Sequence, residues 1–250
     1  MKKIYLDKKE FRYSNIEDLK EELEKRNITI GKGSTIGEGT FLGNNISIGN
    51  NVAIGYYCGI GNNTTLQSNT KISNRSSIGN HCLISIGSYV GYRSFIGNYV
   101  SILSNAQIKN RCTIGNNSIV GNSTIVGSNT FTRNNATIGN DVIIGTDVSL
   151  NYGVSIRDQA FICNGSTIGD YSSIKENIKL HNNIYIVGSL GTASAVTYIG
   201  NRNLSIGCKQ YAIDELLKNF QHIGESEGLT PKQIQEYKEY VLIIDKFSKL

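Results

Sequence analysis

The sequence predicts an all-β solenoid, in which a short repeat winds the chain into stacked coils of parallel strands. Every sixth residue from Ile30 to Ile186 is aliphatic over 27 consecutive positions, with Thr132 as the only polar member. The residue two positions before each aliphatic residue, from Ser34 to Ile184, is always Ser, Thr, Ala, Val, Cys or Ile. The residue after it is Gly in 15 of the 27 cases. A fixed short period of this kind indicates a repeat architecture.

A period of six fits a short extended segment followed by a corner, because it matches neither the helical period nor simple alternation. The aliphatic residue and the small residue two positions earlier share the inward face of the strand, and the residue between them points outward. The Gly-Asn or Gly-x pair that follows is expected to turn the chain, since both residue types tolerate a positive φ. Thr132 needs a hydrogen-bond partner if its hydroxyl lies inside.

This repeat, seen in Ile36-Gly37, Ile96-Gly97 and Ile144-Gly145, resembles that of the hexapeptide-repeat acyltransferase superfamily. The resemblance implies a left-handed parallel β-helix in which three hexapeptides form one triangular coil. On that basis, residues 28–187 are expected to form about nine coils.

The ends of a solenoid have to be covered. Residues 1–27 are predicted to form an N-terminal cap with a short helix. Ser14-Asn15-Ile16-Glu17 reads as a capping box, and Ile16, Leu19 and Leu23 form an apolar stripe at helical spacing.

Residues 188–250 are predicted to form a small α+β extension with a hairpin and two helices. The hairpin strands are expected around Thr197-Tyr198-Ile199 and Leu204-Ser205-Ile206. One helix runs from Ile213 to about Ile223, and the second begins at Thr230-Pro231 with a capping box and a proline at its first position.

Composition narrows the classes of function. The formal net charge of +5 over 250 residues is modest, so a nucleic-acid polymer is not expected as partner. The sequence shows neither a membrane-spanning apolar run nor a signal-peptide pattern. Five cysteines, an odd number, favour a reducing cytoplasm without disulfides, and Cys58, Cys82 and Cys112 fall in the inward column.

One corner of the predicted prism is unusual because it carries cationic and aromatic residues where turn residues are the rule. Residues separated by 18 stack, and one such column reads Tyr57, Arg75, Arg93, Arg111, Asn129. Tyr56, Tyr92 and Lys109 lie beside this column, with Lys71 and Tyr89 on the preceding strand. Arginine forks next to aromatic faces suit a phosphorylated small molecule or a nucleotide. The alternative is a solvated basic edge, or one paired with carboxylates across an oligomer interface.

Histidines are few, and none has the spacing of a metal site. His81 is expected on a corner, stacked between Asn63 and Tyr99. His181 is expected to stack on Cys163 in the next coil. A thiol–base pair of Cys163 and His181 lacks a third orienting group. The zinc site of gamma-class carbonic anhydrases, which also carry this repeat, cannot be built from His81, His181 and His222, so no metal is predicted.

The superfamily resemblance implies a homotrimer that binds acyl-CoA between adjacent prisms and transfers the acyl group to a hydroxyl or amine. Carried over to this sequence, His81 is the candidate general base, and the arginine column would hold the CoA phosphates. Two family features are missing: the loop that usually interrupts the repeat, and the Gly-x-Pro-Ala-Lys signature, since Pro231 is the chain's only proline.

A second resemblance concerns the C-terminal segment. Thr197-Tyr198, Ile206-Gly207-Cys208 and Ile213-Asp214-Glu215-Leu216 are similar to a small module behind repeat regions of phage and prophage proteins. This resemblance implies a non-catalytic alternative: a trimer that sequesters a nucleotide-like signal, or a virion-associated scaffold.

Overall fold

A computed structural model describes residues 1–174, 176–177, 179–180, 185–187, 196–200, 202–206 and 209–247. The chain forms a parallel β-solenoid with three faces, each built from nine coil strands. The prediction of a left-handed parallel β-helix of about nine coils with a small α+β extension is therefore confirmed.

Face 1 consists of Ile28–Ile30, Ile46–Ile48, Thr65–Leu66, Leu83–Ile84, Ser101–Ile102, Ile119–Val120, Thr137–Ile138, Ser155–Ile156 and Ser173–Ile174. Face 2 consists of Thr35–Ile36, Ala53–Ile54, Lys71–Ile72, Tyr89–Val90, Gln107–Ile108, Ile125–Val126, Ile143–Ile144, Phe161–Ile162 and Lys179–Leu180. Face 3 consists of Thr40–Leu42, Gly59–Ile60, Ser77–Ile78, Phe95–Ile96, Thr113–Ile114, Phe131–Thr132, Ser149–Leu150, Thr167–Ile168 and Tyr185–Val187.

Neighbouring coils are joined by a parallel backbone ladder in strict register. On face 3, Ile78 pairs with Ile96, and the Gly79 N–H donates to the Ile96 carbonyl at 2.8 Å. The register stacks each aliphatic residue on the next, so that Ile78 and Ile96 are 2% and 0% exposed. Burying such a side chain contributes about 1.5–3 kcal/mol, which makes the aliphatic column the main source of stability.

The glycines play a different part in the corners from the one predicted. The residue with positive φ is the third after the aliphatic residue, as in Asn63 with φ 55°, while the glycine directly after the aliphatic residue is not among the positive-φ positions. That glycine is required by close approach: a Cβ on Gly61 would lie 2.6 Å from the carbonyl carbon of Gly79 in the next coil. The prediction that the Gly-Asn pair supplies the positive φ was therefore wrong.

The N-terminal cap contains a β-hairpin that was not predicted, in addition to the short helix. Strands Lys2–Leu6 and Lys9–Tyr13 pair antiparallel, and the first of them also pairs with Thr40–Leu42 of face 3. The signal was present in the alternation of Ile4 with Leu6 and of Phe11 with Tyr13 around a tight turn.

The predicted helix is a 3₁₀ turn, Ile16–Leu19, followed by α1, Lys20–Glu24. Its cap lies one residue later than predicted, because the Asp18 carboxylate accepts the Asn15 N–H at 2.9 Å and the Ser14 N–H at 3.1 Å. These backbone donors lower the pKa of Asp18. Leu19 and Leu23 are buried against the first coils.

The C-terminal extension is a three-stranded antiparallel sheet followed by two helices. Its strands are Val196–Gly200, Asn203–Ile206 and Lys209–Ala212, the last of which was not predicted. Helices α2, Ile213–Ser226, and α3, Pro231–Phe247, follow. The capping box at Thr230 is present, since the Thr230 N–H donates to Gln233 Oε1 at 2.9 Å. None of the described helices has the length and apolar character needed to cross a membrane.

Thr132 is fully buried, and its hydroxyl has a partner. The Gly115 N–H donates to Thr132 Oγ1 at 3.1 Å, whereas the equivalent Gly97 N–H donates to the Ile114 carbonyl at 2.8 Å.

We expect Thr132→Val to let the Gly115 N–H bond to the backbone carbonyl of residue 132, as the Gly97 N–H bonds to that of Ile114. The melting temperature should stay unchanged or rise by the equivalent of up to about 1 kcal/mol. As a control, Thr132→Ser, which loses a buried methyl group, should lower it. A clear drop for the valine variant in thermal unfolding would contradict this account.

Cys58, Cys82 and Cys112 are buried, as predicted from the inward column. Burial raises the pKa of the Cys82 thiol, and raises that of Cys112 to about 11. Because alkylating reagents attack the thiolate, these cysteines should remain unmodified by iodoacetamide at mildly alkaline pH in the folded protein and react after denaturation. Peptide mass spectrometry tests this, and rapid labelling of native Cys112 would be inconsistent with the assigned packing.

Candidate anion-binding site at the arginine corner

The arginine corner, defined as the turn between face 2 and face 3, carries Arg75, Arg93 and Arg111 in three successive coils. All three have a positive φ, of 59°, 55° and 58°. Such a conformation suits Gly and Asn and costs other residues about 1–2 kcal/mol. Most corner positions of the solenoid obey that rule. Residues that break it mark places where something other than stability selects the side chain.

The backbone holds these arginines firmly. The Arg75 N–H donates to the Tyr56 carbonyl at 2.8 Å, and the Arg111 N–H donates to the Tyr92 carbonyl at 2.8 Å. Strand stacking brings their backbones to about 4.8 Å per coil. The three side chains are exposed and form no ion pair with any carboxylate of the described residues. The corner therefore concentrates uncompensated positive charge.

Charge along the sequence adds to this concentration. Residues 39–140 contain no Asp or Glu but six Lys or Arg. All of these cations except Arg133 belong to the arginine corner or to face 2 beside it. A scan for carboxylate-free stretches would have revealed this signal from the sequence alone.

Tyrosines flank the cations, as predicted. The Arg93 guanidinium lies over the Tyr92 ring, 5.2 Å from its centroid, and the Lys71 Nζ lies 5.9 Å from the centroid of Tyr89. The Tyr89 hydroxyl is also bonded to Ser73 Oγ at 3.0 Å. Cation–π contacts of this kind hold the cations in place without neutralising their charge.

A groove of about 630 Å³ opens on face 2 next to the arginine corner. Tyr56 and Tyr92 line it together with Lys71 and Asn74. Small residues such as Ala53 form part of its lining. Lys2 and Glu38 also line it and were missed by sequence reasoning: Lys2 belongs to the hairpin that was not predicted, and Glu38 lies one coil before Tyr56 at the same corner.

The side chains of Lys109 and Tyr57, both predicted for the anion site, contact other residues instead. The Lys109 Nζ donates to Gln107 Oε1 at 2.6 Å on face 2. Tyr57 lies against Gly39 of the preceding coil, so closely that any Cβ on Gly39 would clash with its ring. Tyr57 therefore packs on the preceding coil, at the start of the column that continues with Arg75.

His81 lies on a different corner, between face 3 and face 1, and also has a positive φ, of 56°. Its ring stacks on Tyr99 with centroids 4.7 Å apart. Asn45 Nδ2 donates to Asn63 Oδ1 at 3.0 Å, so Asn63 presents its amide nitrogen to His81 Nε2 at 3.4 Å. In this ladder Nε2 is the acceptor, which corresponds to one tautomer of the ring. A single prism does not bring His81 to the arginines, because face 3 separates the two corners.

Of the two residues in the Cys163–His181 pair, His181 lies outside the described residues. Cys163 itself contacts Ser166 Oγ at 3.1 Å. Within the described part of the chain, no group of three or more His, Cys, Asp or Glu side chains could hold a metal ion.

Comparisons with known proteins agree with this fold. A family model described as bacterial transferase hexapeptide (six repeats) matches residues 93–126, and one described as hexapeptide repeat of succinyl-transferase matches residues 26–56 and 135–170. No curated protein matches the sequence significantly.

Solved structures that match this chain do so at low sequence identity. The UDP-N-acetylglucosamine acyltransferase of Francisella novicida is 16% identical with a TM-score of 0.54, covering 85% of this chain and 74% of its own. The corresponding enzyme of Bacteroides fragilis 9343 is 18% identical with a TM-score of 0.49, covering 86% and 87%. The acetyltransferase domain of PglB from Neisseria gonorrhoeae, in complex with acetyl coenzyme A, is 13% identical with a TM-score of 0.29, covering 57% and 62%. The Francisella similarity shows a shared fold.

If ligand binding rather than stability selects the arginines, replacing them with the residue that suits the turn should not destabilise the protein. We expect the triple substitution Arg75→Asn, Arg93→Asn and Arg111→Asn to leave the melting temperature unchanged or raise it, because Asn tolerates a positive φ and like-charge repulsion disappears. Arg133→Asn combined with Arg157→Asn, two exposed arginines at corner positions without a positive φ, is the control for the loss of positive charge. A large loss of stability in the triple variant alone would indicate a structural role for the arginines.

Proposed function

We propose that this chain, which belongs to the hexapeptide-repeat proteins, is an acyltransferase-like protein that binds the phosphates of acyl-CoA at the arginine corner. The observation that carries the proposal is the column of Arg75, Arg93 and Arg111, unpaired within the described residues and held at backbone positions that favour Asn. Guanidinium groups bind phosphates through paired charge-assisted hydrogen bonds. The adjoining groove of about 630 Å³ offers the Tyr56 and Tyr92 rings to the rest of the donor.

The proposed reaction requires a second subunit. His81 and the arginine corner stand at opposite edges of face 3, so a neighbouring prism in a homotrimer would have to bring them together. Face 3 suits contact with another subunit, because Phe95 and Phe131 on it are 51% and 44% exposed. Acyl-CoA as donor also agrees with a cytoplasmic protein whose thiols stay reduced.

In this scheme His81 acts as the general base. Its Nε2 takes the proton of an acceptor hydroxyl or amine as that group attacks the thioester carbonyl. The carbon–sulfur bond then breaks, and the proton passes to the departing CoA thiolate. The acceptor group has to displace the Asn63 amide, which lies 3.4 Å from Nε2, and the stacked Tyr99 ring fixes the plane of the imidazole.

A second candidate is a non-catalytic binding protein for a phosphorylated or nucleotide ligand. The same ladder favours it: His81 continues the series of Asn45 and Asn63, and its Nε2 is already engaged. In that case the arginine corner keeps its role, while His81 is a corner residue like its neighbours.

Donor binding is tested by isothermal titration of CoA. The triple Asn variant of the arginine corner should bind CoA at least about tenfold more weakly than the native protein, because each charge-assisted hydrogen bond contributes about 1.5–3 kcal/mol. The Arg133→Asn, Arg157→Asn control should bind normally. Equal affinity in all three proteins would place the phosphates elsewhere.

Catalysis is tested with His81→Asn, which keeps an amide in the ladder and removes the base. With acetyl-CoA and a panel of hydroxyl and amine acceptors, release of free CoA should fall by about 100-fold or more, because general-base catalysis contributes about 10²–10⁴. Undiminished CoA binding in this variant is the control. If native protein binds CoA but transfers to no acceptor, or if His81→Asn is fully active, the catalytic scheme fails and the binding role is favoured.

A further inference from the structure

The C-terminal extension contains a cavity of about 210 Å³, separate from the residues of the arginine corner. Its lining comes from the strands Asn203–Ile206 and Lys209–Ala212, from α2, from α3 and from the segment between the two helices. Most of the lining is apolar: Ile206, Leu216, Phe220, Ile223, Leu229 and Tyr237.

The cavity walls are well packed. Leu216, Phe220 and Tyr237 are 2%, 8% and 2% exposed. An apolar engineered cavity of about 150 Å³ in another protein stays dry and binds benzene. A cavity of 210 Å³ therefore has room for a group the size of a benzyl or isobutyl side chain.

Charged residues stand beside this apolar space. Lys209 Nζ donates to both carboxylate oxygens of Glu227 at 2.7 Å, and the Tyr211 hydroxyl donates to Glu227 Oε1 at 3.1 Å. The Lys209 ammonium lowers the pKa of Glu227, which is therefore ionised. Both residues and Tyr211 line the cavity.

Lys209 and Glu227 lie side by side, and together they restrict the charges that a ligand can carry. A lone carboxylate on the ligand would attract Lys209 but repel Glu227, and a lone amine would do the opposite. A zwitterion satisfies both. Because Lys209 is 57% exposed, its ion pair with Glu227 adds little stability and can exchange partners. Glu227 is also the C-cap of α2, where the helix dipole favours an ammonium group.

We propose that this cavity binds a free amino acid with an apolar side chain, of the size of phenylalanine or leucine. The side chain fills the space between the half-buried Ile223 and Leu229, the α-carboxylate pairs with Lys209 and the α-ammonium pairs with Glu227. This binding site is independent of the proposed acyl transfer.

Isothermal titration of the full-length protein tests the ligand class. L-Phenylalanine or L-leucine should give saturable binding, and glycine should give none. 3-Phenylpropionate, which lacks the ammonium, and phenethylamine, which lacks the carboxylate, should each bind at least about tenfold more weakly than L-phenylalanine. Equal binding of either analogue would overturn the assignment of a zwitterion, and absence of binding by both amino acids at millimolar concentration would overturn the site.

Variants locate the binding. Ile223→Phe fills the cavity from a half-buried wall position, and Lys209→Gln removes the carboxylate partner; each should weaken L-phenylalanine binding about tenfold or more. Lys218→Gln, an exposed position on the same helix, is the matched control and should bind normally. Since Ile223→Phe alone could perturb packing, circular dichroism accompanies it and Lys209→Gln provides the independent result. Native affinity in both variants would show that the amino acid binds elsewhere.

Discussion

A backbone hydrogen-bond ladder between successive coils sets the position of every strand and corner of the solenoid. It joins corners as well as strands, since the Arg75 N–H bonds to the Tyr56 carbonyl and the Arg93 N–H to the Asn74 carbonyl. Each residue is thereby fixed relative to the residue 18 positions away. The ladder demands close approach, which explains why glycine follows so many of the aliphatic residues. The ladder does not restrict the identity of the outward and corner side chains, and the residues of the proposed sites are among them.

That freedom has a limit, because the third residue of each corner must adopt a positive φ. Asn, Asp and Gly meet the requirement at most corners, and Ser123, Gln159 and Tyr171 are scattered exceptions. Tyr57, Arg75, His81, Arg93, Tyr99 and Arg111 hold it at two corners of neighbouring coils. Each of these side chains stabilises the turn less than Asn would. They cluster on the two edges of face 3. The arginines of the proposed phosphate site and the proposed base His81 therefore share the same unfavourable backbone conformation. Like-charge repulsion among the arginines adds to the strain and is relieved when an anion binds.

Much of the fold could be predicted from sequence, because the aliphatic period acts on every coil and errors in one repeat are corrected by its neighbours. The Thr230 cap was equally readable, since its signal is local. The N-terminal hairpin and the strand Lys209–Ala212 were missed, because short strands outside the repeat depend on tertiary pairing. At the site, the spacing of 18 residues predicted that the three arginines stack on one another. This spacing does not determine the direction in which a side chain points. Lys109 turns to Gln107, and Tyr57 lies on Gly39, through contacts between specific side chains and coils.

The arginine corner is proposed to hold phosphate groups. Native mass spectrometry of the protein as purified from cells, followed by release and identification of any small molecule, tests it most directly. We expect a phosphate-bearing compound on the native protein that is absent from the variant in which Asn replaces Arg75, Arg93 and Arg111. A native protein free of any phosphate-bearing ligand, or the same ligand retained by that variant, would contradict it.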